Sequence, residues 1–240
     1  MLIKKGPMNL LEQTRKAIVI GATGMVGQQL VTGLLEQHPY TEVVILVRES
    51  QKLTHPKLKQ VIVNWDELEK YESAFYQADD LFCCLGTTIK KAGSQAAFRK
   101  VDLEYPVTAA KIAERHGIKQ FIGISSMGAD AKSRVFYSRT KGQFEEEVKK
   151  TGIPSVHFVR PSLLLGDRKE HRTGEKMGEI LLGLLDPLLK LGKGQNYRAI
   201  PGSLVATAMI RIALQEQKGI HIYSNQKIRE IAEAMPLSQK

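Results

Sequence analysis

The stretch Lys16-Ala17-Ile18-Val19-Ile20-Gly21-Ala22-Thr23-Gly24-Met25-Val26-Gly27 decides the fold. Its first part is a short apolar run ending in glycine, the pattern of a strand buried on both faces. Behind it, Val26, Leu30, Leu34 and Leu35 recur at helical spacing. A glycine turn between a buried strand and a helix lets backbone N–H groups approach a pyrophosphate closely. The opening turn of the helix adds partial positive charge. Gly21, Gly24 and Gly27 sit after a strand, open a helix and lead into a strand–helix–strand unit. That context separates a dinucleotide-binding turn from a glycine bend that serves packing alone.

The same alternation continues outward. TEVVILV (residues 41–47), KQVIV (59–63), DDLFCCLG (79–86), KQFIGISS (119–126) and SVHFVRPS (155–162) read as further strands. Between them lie an amphipathic stretch around Leu68, Tyr71, Ala74 and Phe75, and helical spacing over residues 96–117 and 140–152, with Gly152 as a C-terminal stop. Strands alternating with helices of this length predict an α/β, Rossmann-like, doubly wound parallel sheet. Residues 203–217 predict a helix, 220–225 an edge strand and 227–235 a terminal helix, while residues 180–192 predict two short apolar helices broken at Pro187. We expect a peripheral arm over residues 1–14 and one NAD(P)-binding domain over 15–240, with residues 166–240 shaping the substrate side.

Composition narrows the function classes. The 240 residues are 42% hydrophobic and 25% charged, enough apolar content for a real core, which excludes a disordered or disulfide-stapled chain. The two cysteines, Cys83 and Cys84, are adjacent; they end an apolar strand, suit core packing, and point to a reducing cytoplasm. No segment approaches the ~18 apolar residues of a membrane span. Thirty-five Lys and Arg against 25 Asp and Glu give a formal charge of +10. These residues are scattered, with no reading helix or aromatic-rich basic strand, so we expect no nucleic acid. His38, His55, His116, His157, His171 and His221 show no metal-ligand spacing, and no metal is expected.

Three features carry chemistry. Arg48 follows the second strand, where an NAD-preferring site usually holds an acidic residue for the ribose 2′-hydroxyl; a guanidinium suits a 2′-phosphate, so NADP(H) is expected over NAD(H). Glu49 stands beside it. Tyr137 and Lys141 share one helix face at i, i+4, and an ammonium beside a phenol favours phenolate, moving tyrosine toward acid/base work. Ser125 and Ser126, at the end of the fifth strand, could hydrogen-bond a substrate oxygen or cap their own loop.

GATGMVG (21–27), CCLGTTIKKAG (83–93), VDLEY (101–105), SSMGAD (125–130), YSRTK (137–141) and VRPSLLLGDR (159–168) occur in this order. With them the chain resembles an atypical short-chain dehydrogenase/reductase, most closely the NADPH-binding Tat-interacting oxidoreductase-like family, over about residues 16–175. The resemblance implies a Rossmann-like fold, bound NADP(H) and a Ser-Tyr-Lys site. By it, Gly21, Thr23, Gly24, Met25, Val26 and Gly27 would cradle the pyrophosphate, and Arg48 would meet the 2′-phosphate. Asn64 and Trp65 would border adenine, and Leu85, Gly86 and Thr87 the ribose linkage. Tyr137 would be the acid/base, and Lys141 would bind the nicotinamide ribose while lowering the tyrosine pKa. Ser126, rather than Ser125, would hold the substrate oxygen. Pro161 and Ser162 would pack by the carboxamide. Two positions depart from the pattern: Asp102 stands where many relatives place an asparagine, and Asn64 where aspartate is common.

Arg172 is a candidate anion contact, residues 180–191 a core or lid segment in preference to a dimer contact, and Lys90 and Lys91 an exposed loop in preference to an attractor for an acidic substrate. The expected activity is hydride transfer between nicotinamide and a carbonyl or alcohol substrate. The alternative is an NADPH-binding redox sensor that reports to a protein partner. Arg48→Ala is expected to weaken NADPH binding by about tenfold or more while leaving NADH binding within about twofold. Equal changes for both cofactors in a fluorescence titration would remove the basis for NADP(H) preference.

Overall fold

A computed structural model of the chain describes residues 14–165 and 198–234. Seven strands form one parallel sheet: β1 (Arg15–Ile20), β2 (Tyr40–Val47), β3 (Leu58–Ile62), β4 (Asp80–Cys83), β5 (Gln120–Ile124), β6 (Ser155–Arg160) and β9 (Gly219–Ser224). Their order is β3-β2-β1-β4-β5-β6-β9. Two two-residue strands, β7 (Leu164–Leu165) and β8 (Ile200–Pro201), pair beside it. The doubly wound parallel sheet expected from the alternation is thus the fold. The direction of winding reverses between β1 and β4, and ligands of such sheets lie at that switch, beyond the carboxyl ends of the strands.

Both faces of the sheet are covered, as the unbroken apolar strands require. On one face pack α1 (Met25–Glu36), α6 (Gly202–Leu214) and α7 (Asn225–Glu233), burying Leu30, Leu34, Val205, Met209 and Ile228 against Val19, Ile45 and Val159. The other face holds the 3₁₀ segment Trp65–Phe75, α4 (Tyr105–Arg115) and α5 (Phe136–Lys149), with Phe75, Ile112, Phe144 and Val148 against Ile18, Leu81 and Phe121. Each such side chain, fully buried, contributes about 1.5–3 kcal/mol. Two short helices, α2 (Ile89–Ala92) and α3 (Gln95–Arg99), lie between β4 and α4, and α3 runs into α4 through a π-helical turn, Lys100–Glu104.

The last helices and the edge strand fall where the sequence predicts them. Gly152 does not act as an αL stop: glycines with positive φ are 21, 93, 117, 128 and 219. Helix α5 closes instead through Lys150 N–H to the Glu147 carbonyl and Thr151 N–H to that of Val148, and Gly152 donates its N–H to Glu114 Oε1 at 2.7 Å. The N-terminal arm, apart from residue 14, lies outside the described residues. So do Arg172 and the apolar segment 180–192. Among the described residues no helix is long and apolar enough to cross a membrane.

A polar knot ties the strand starts together, at the end away from the switch-point crevice. Arg15 grips Asp80 with Nε at 2.9 Å and Nη2 at 2.6 Å, Tyr40 Oη donates to the same carboxylate at 2.7 Å, and Gln120 Nε2 at 2.9 Å. Gln120 also reaches the Ala213 carbonyl at 2.9 Å, and Arg15 Nη1 pairs with Glu216, linking α6 to the sheet. Burial pushes Asp80 up from the usual carboxylate range even though Arg15 and Tyr40 hold it down.

At the far side, His157 on β6 is wholly buried, stacks on His221 at 5.1 Å and meets Tyr223 Oη through Nδ1 at 3.2 Å. Burial, together with His221, lowers its pKa to about 4. An unfolded histidine protonates near pH ~6.5, so below that pH the unfolded chain binds a proton the folded one refuses. Stability that is complete above that pH is therefore lost as pH falls toward 4, by about 2–3 kcal/mol. His157→Gln is expected to flatten this acid limb, read as urea midpoints across the window. Parallel profiles for the two chains would refute the assignment.

Candidate functional site

The glycine turn owes its form to steric contact. Ile20 pairs with Cys83, and Cys84 N–H continues the ladder to the Ile20 carbonyl at 2.8 Å. The chain then turns at Gly21 with φ +79°, and a Cβ there would lie 2.4 Å from the Cys84 carbonyl carbon. A Cβ on Gly27 would lie 2.1 Å from the Gly21 carbonyl oxygen. Glycine is thus required at 21 for its dihedral and at 27 for the close packing of helix on strand. Gly24 is the N-cap of α1 and offers no side-chain cap, so the first N–H groups of the helix face outward unclaimed by a side chain. Uncapped N–H groups on a helix end behind a turn without side chains fit a pyrophosphate.

The next two strand ends lie beside this turn. Arg48 follows β2, is exposed, and has no ion-pair or hydrogen-bond partner among the described residues. Val63 N–H bonds the Val47 carbonyl at 2.9 Å, which sets Asn64 at the strand end neighbouring Arg48. Asn64 caps the 3₁₀ segment by accepting from Asp66 N–H at 3.2 Å, and Trp65 packs on Tyr105 with ring centroids 5.7 Å apart. The turn, Arg48 and Asn64 thus gather on one side of the switch point, while Trp65 is engaged in holding β3 to α4.

Tyr137 and Lys141 occupy the first turns of α5, on the other side of the switch. Gly142 lets that helix meet the loop after β5, since a Cβ there would lie 2.0 Å from Ala131 N. The loop begins with Ser125 and Ser126, both buried; among the described residues neither hydroxyl has a hydrogen-bond partner of good geometry, and that of Ser126 lies beside the Tyr137 phenol. Phe98 of α3 backs the Tyr137 ring at 5.8 Å. Lys141 is buried, and its Nζ pairs with Asp102 Oδ1 at 2.9 Å and lies 3.5 Å from the Ile124 carbonyl. The other Asp102 oxygen accepts Thr87 N–H at 2.9 Å. Leu85, Gly86 and Thr87 therefore cross above β4 within reach of the same carboxylate. Pro161 and Ser162 leave β6; Ser162 gives its N–H to Asn225 Oδ1 at 3.0 Å and its hydroxyl to the Arg198 carbonyl at 2.6 Å, so its polar atoms are spent on the chain itself.

The electrostatics differ from the sequence expectation in one respect. Burial tends to strip Lys141 of its charge, but Asp102 and Tyr137 outweigh burial and hold the ammonium charged. Burial pushes the Tyr137 phenol above its ordinary value; Lys141 opposes that rise, Asp102 adds to it, and nearby Ser126 opposes it. Burial, to which the Asp102 carboxylate adds, outweighs Lys141, so the lysine does not bring the phenol down as i, i+4 reasoning expects. What sequence reasoning missed is this direct pair: Asp102 was visible only as a departure from asparagine. Burial also raises the Cys83 thiol to about 12, in keeping with its packing role. Lys90 and Lys91 are exposed, as expected, but on the short helix α2 rather than in a loop; among the described residues they have no ion-pair partner, and no metal-ligating cluster occurs.

A parallel sheet with this winding, and an uncapped helix behind a glycine turn at the switch, define a Rossmann-like fold of the nucleotide-binding class. Residues 21–180 match the model of a family described as NAD(P)H-binding. The chain belongs to that family. Protein HTATIP2 of Rattus norvegicus is 33% identical over 217 residues, covering 87% of this chain and 88% of that protein. A Candida albicans protein named FMP52, mitochondrial, is 33% identical over 186 residues, covering 71% of this chain and 80% of its own. Among solved structures, MoeE5 in complex with UDP-glucuronic acid and NAD superposes with a TM-score of 0.65 at 16% identity, covering 87% of this chain and 75% of that one. The Tat-interacting-protein resemblance read from the motifs is thereby upheld.

Gly27→Ala is expected to destabilise the chain by about 2 kcal/mol or more. Gly24→Ala, whose Cβ would lie 3.4 Å from its nearest neighbour, is expected to fold with stability changed by less than about 1 kcal/mol yet bind nicotinamide dinucleotides more weakly. Chemical denaturation beside a binding titration separates the two effects. Equal stability loss in both variants would show that the turn is a packing device only.

Proposed function

We propose that this protein is an NADP(H)-dependent oxidoreductase acting on a small carbonyl or alcohol substrate. The observation that carries the reading is the meeting of Ser126, Tyr137 and Lys141 across the switch point from the glycine turn. When bound, the dinucleotide supplies the hydride. Gly21, Thr23, Gly24, Met25, Val26 and Gly27 hold the pyrophosphate, Arg48 takes the 2′-phosphate, and Asn64 and Trp65 border the adenine. Leu85, Gly86 and Thr87 follow the ribose linkage, Lys141 takes the nicotinamide ribose, and Pro161 packs by the carboxamide, with Ser162, whose N–H and hydroxyl are bound to Asn225 and Arg198, contributing packing alone.

On the protein side, the Ser126 hydroxyl, buried and without a partner, orients the substrate oxygen. Tyr137 delivers the proton to that oxygen, and its raised pKa keeps it a donor at neutral pH. Residues 15–240 act as one unit in this reading, with residues 166–240 shaping the substrate side; the packing of α6 and α7 against the β1 and β6 face supports it. The unpaired cysteines favour a reducing compartment, and we propose the cytoplasm.

One observation favours the second reading, an NADPH-responsive binding protein with little turnover that signals to a protein partner: Asp102 neutralises Lys141. The test is titration with NADPH and NADH followed by a panel of carbonyl compounds. NADPH binding about tenfold tighter than NADH, with oxidation by a panel member, is the expected result. Tyr137→Phe should then cut turnover by about a hundredfold or more without changing NADPH affinity. Tight binding with no oxidation across the panel favours the sensor, and failure to bind either dinucleotide refutes both.

A further inference from the structure

The Asp102 carboxylate is only 1% exposed and has both oxygens engaged by other elements, Oδ1 by Lys141 Nζ and Oδ2 by Thr87 N–H. It sits on the π turn Lys100–Glu104, a widened turn between two α-helical stretches; such turns recur at functional sites. Among the described residues neither neighbour has a replacement for it: the other contacts of Lys141 Nζ are the Ile124 carbonyl at 3.5 Å and the face of the Phe144 ring, and no side chain other than Asp102 accepts from Thr87 N–H. We propose that Asp102 is a positioning residue that binds the loop carrying Thr87 to Lys141, so that one carboxylate holds the cofactor side and the proton-transfer side of the site together. The proposal deepens the oxidoreductase reading and rests on its assignment of Lys141 and Tyr137.

The arrangement also sets a direction. The groups facing Tyr137 are Lys141 from α5, Asp102 from the π turn and Ser126 from the loop after β5, with the neutral Cys83 thiol of β4 facing Lys141. Burial is the main force that keeps the phenol protonated, and the Asp102 carboxylate adds to it by offsetting part of the pull of the Lys141 ammonium. A protonated phenol donates to a carbonyl oxygen as the carbon receives hydride from the reduced dinucleotide. The products are the alcohol, the oxidised dinucleotide and a phenolate that regains its proton from water. The reverse reaction needs the phenolate at the outset. Asp102 thus adds to burial in keeping Tyr137 a proton donor, the form that reduction requires.

The test needs no substrate. The Tyr137 titration is isolated as the difference in ultraviolet phenolate absorbance between each chain and its Tyr137→Phe counterpart. Asp102→Asn is expected to lower the Tyr137 midpoint by about one pH unit or more, and Asp102→Glu, which keeps the charge, to hold it near the parent value. A second readout is NADPH affinity, which should fall about tenfold in Asp102→Asn through release of the Thr87 loop, but not in Tyr137→Phe. An unchanged midpoint in Asp102→Asn overturns the proposal. Should that variant fail to fold, Lys141→Met decides: leaving Asp102 unopposed must raise the midpoint, and no rise overturns it. Failure of the parent chain to bind NADPH would defeat the oxidoreductase reading alone, since the tyrosine titration is read without it.

Discussion

The backbone of Gly21 runs so close to the carbonyl of Cys84 that no side chain fits between them. That contact sits where β1 and β4 end, at the reversal of the winding. It forces the chain to turn under the loop after β4 and to start α1 without a capping side chain. The opening of α1, the entry of β2 toward Arg48 and the height of the Leu85–Thr87 loop all follow. A crevice at this position results from packing two parallel crossovers against one sheet, and the glycines make it narrow enough for backbone N–H groups to meet a ligand.

Charge is divided between the two ends of the strands. At their starts Arg15, Tyr40 and Gln120 all donate to the buried Asp80 carboxylate, and removing Arg15 would strand a buried charge, typically costing about 3–5 kcal/mol. At their ends polar groups without a partner among the described residues are left available: the uncapped start of α1, Arg48, and the hydroxyls of Ser125 and Ser126. The buried pair at that end, Asp102 with Lys141, joins the π turn to α5 rather than closing the site. Stability and ligand chemistry are thereby separated by the length of the sheet.

The fold was legible because its signals are local and repeated. Apolar runs of four to eight residues at Ile18, Val44, Leu81, Phe121 and Phe158 could only be strands buried on both faces, and the helices between them fixed the sheet as parallel. The glycine turn was legible for the same reason, since its strand and helix are contiguous with it. The Tyr137–Lys141 pair was legible as a helix face, but its electrostatics were not. Asp102 lies thirty-five or more residues away in the chain, and nothing in Val101-Asp102-Leu103 announces a π turn that aims the carboxylate at a lysine. Gly142 was read simply as part of a helix, although it is what lets the serine loop approach Tyr137. Ser162, a cofactor contact by resemblance, has its hydroxyl and N–H tied to Arg198 and Asn225, partners too distant in sequence for any local pattern to show.

An all-parallel sheet contains no hairpin from which assembly could begin, since every neighbouring strand arrives through a crossover. Here the central pairing joins β1 to β4, and the Arg15–Asp80 contact spans sixty-five residues. Until β4 has been synthesised, β1 has only β2 beside it and Arg15 has no buried partner. The last sheet strand, β9, docks on β6 only after α6 has crossed the opposite face. Loop closure on this scale makes folding slow compared with helical bundles of equal stability. On the ribosome, the apolar strand Lys16–Ile20 therefore waits, half covered, for most of the sheet to emerge.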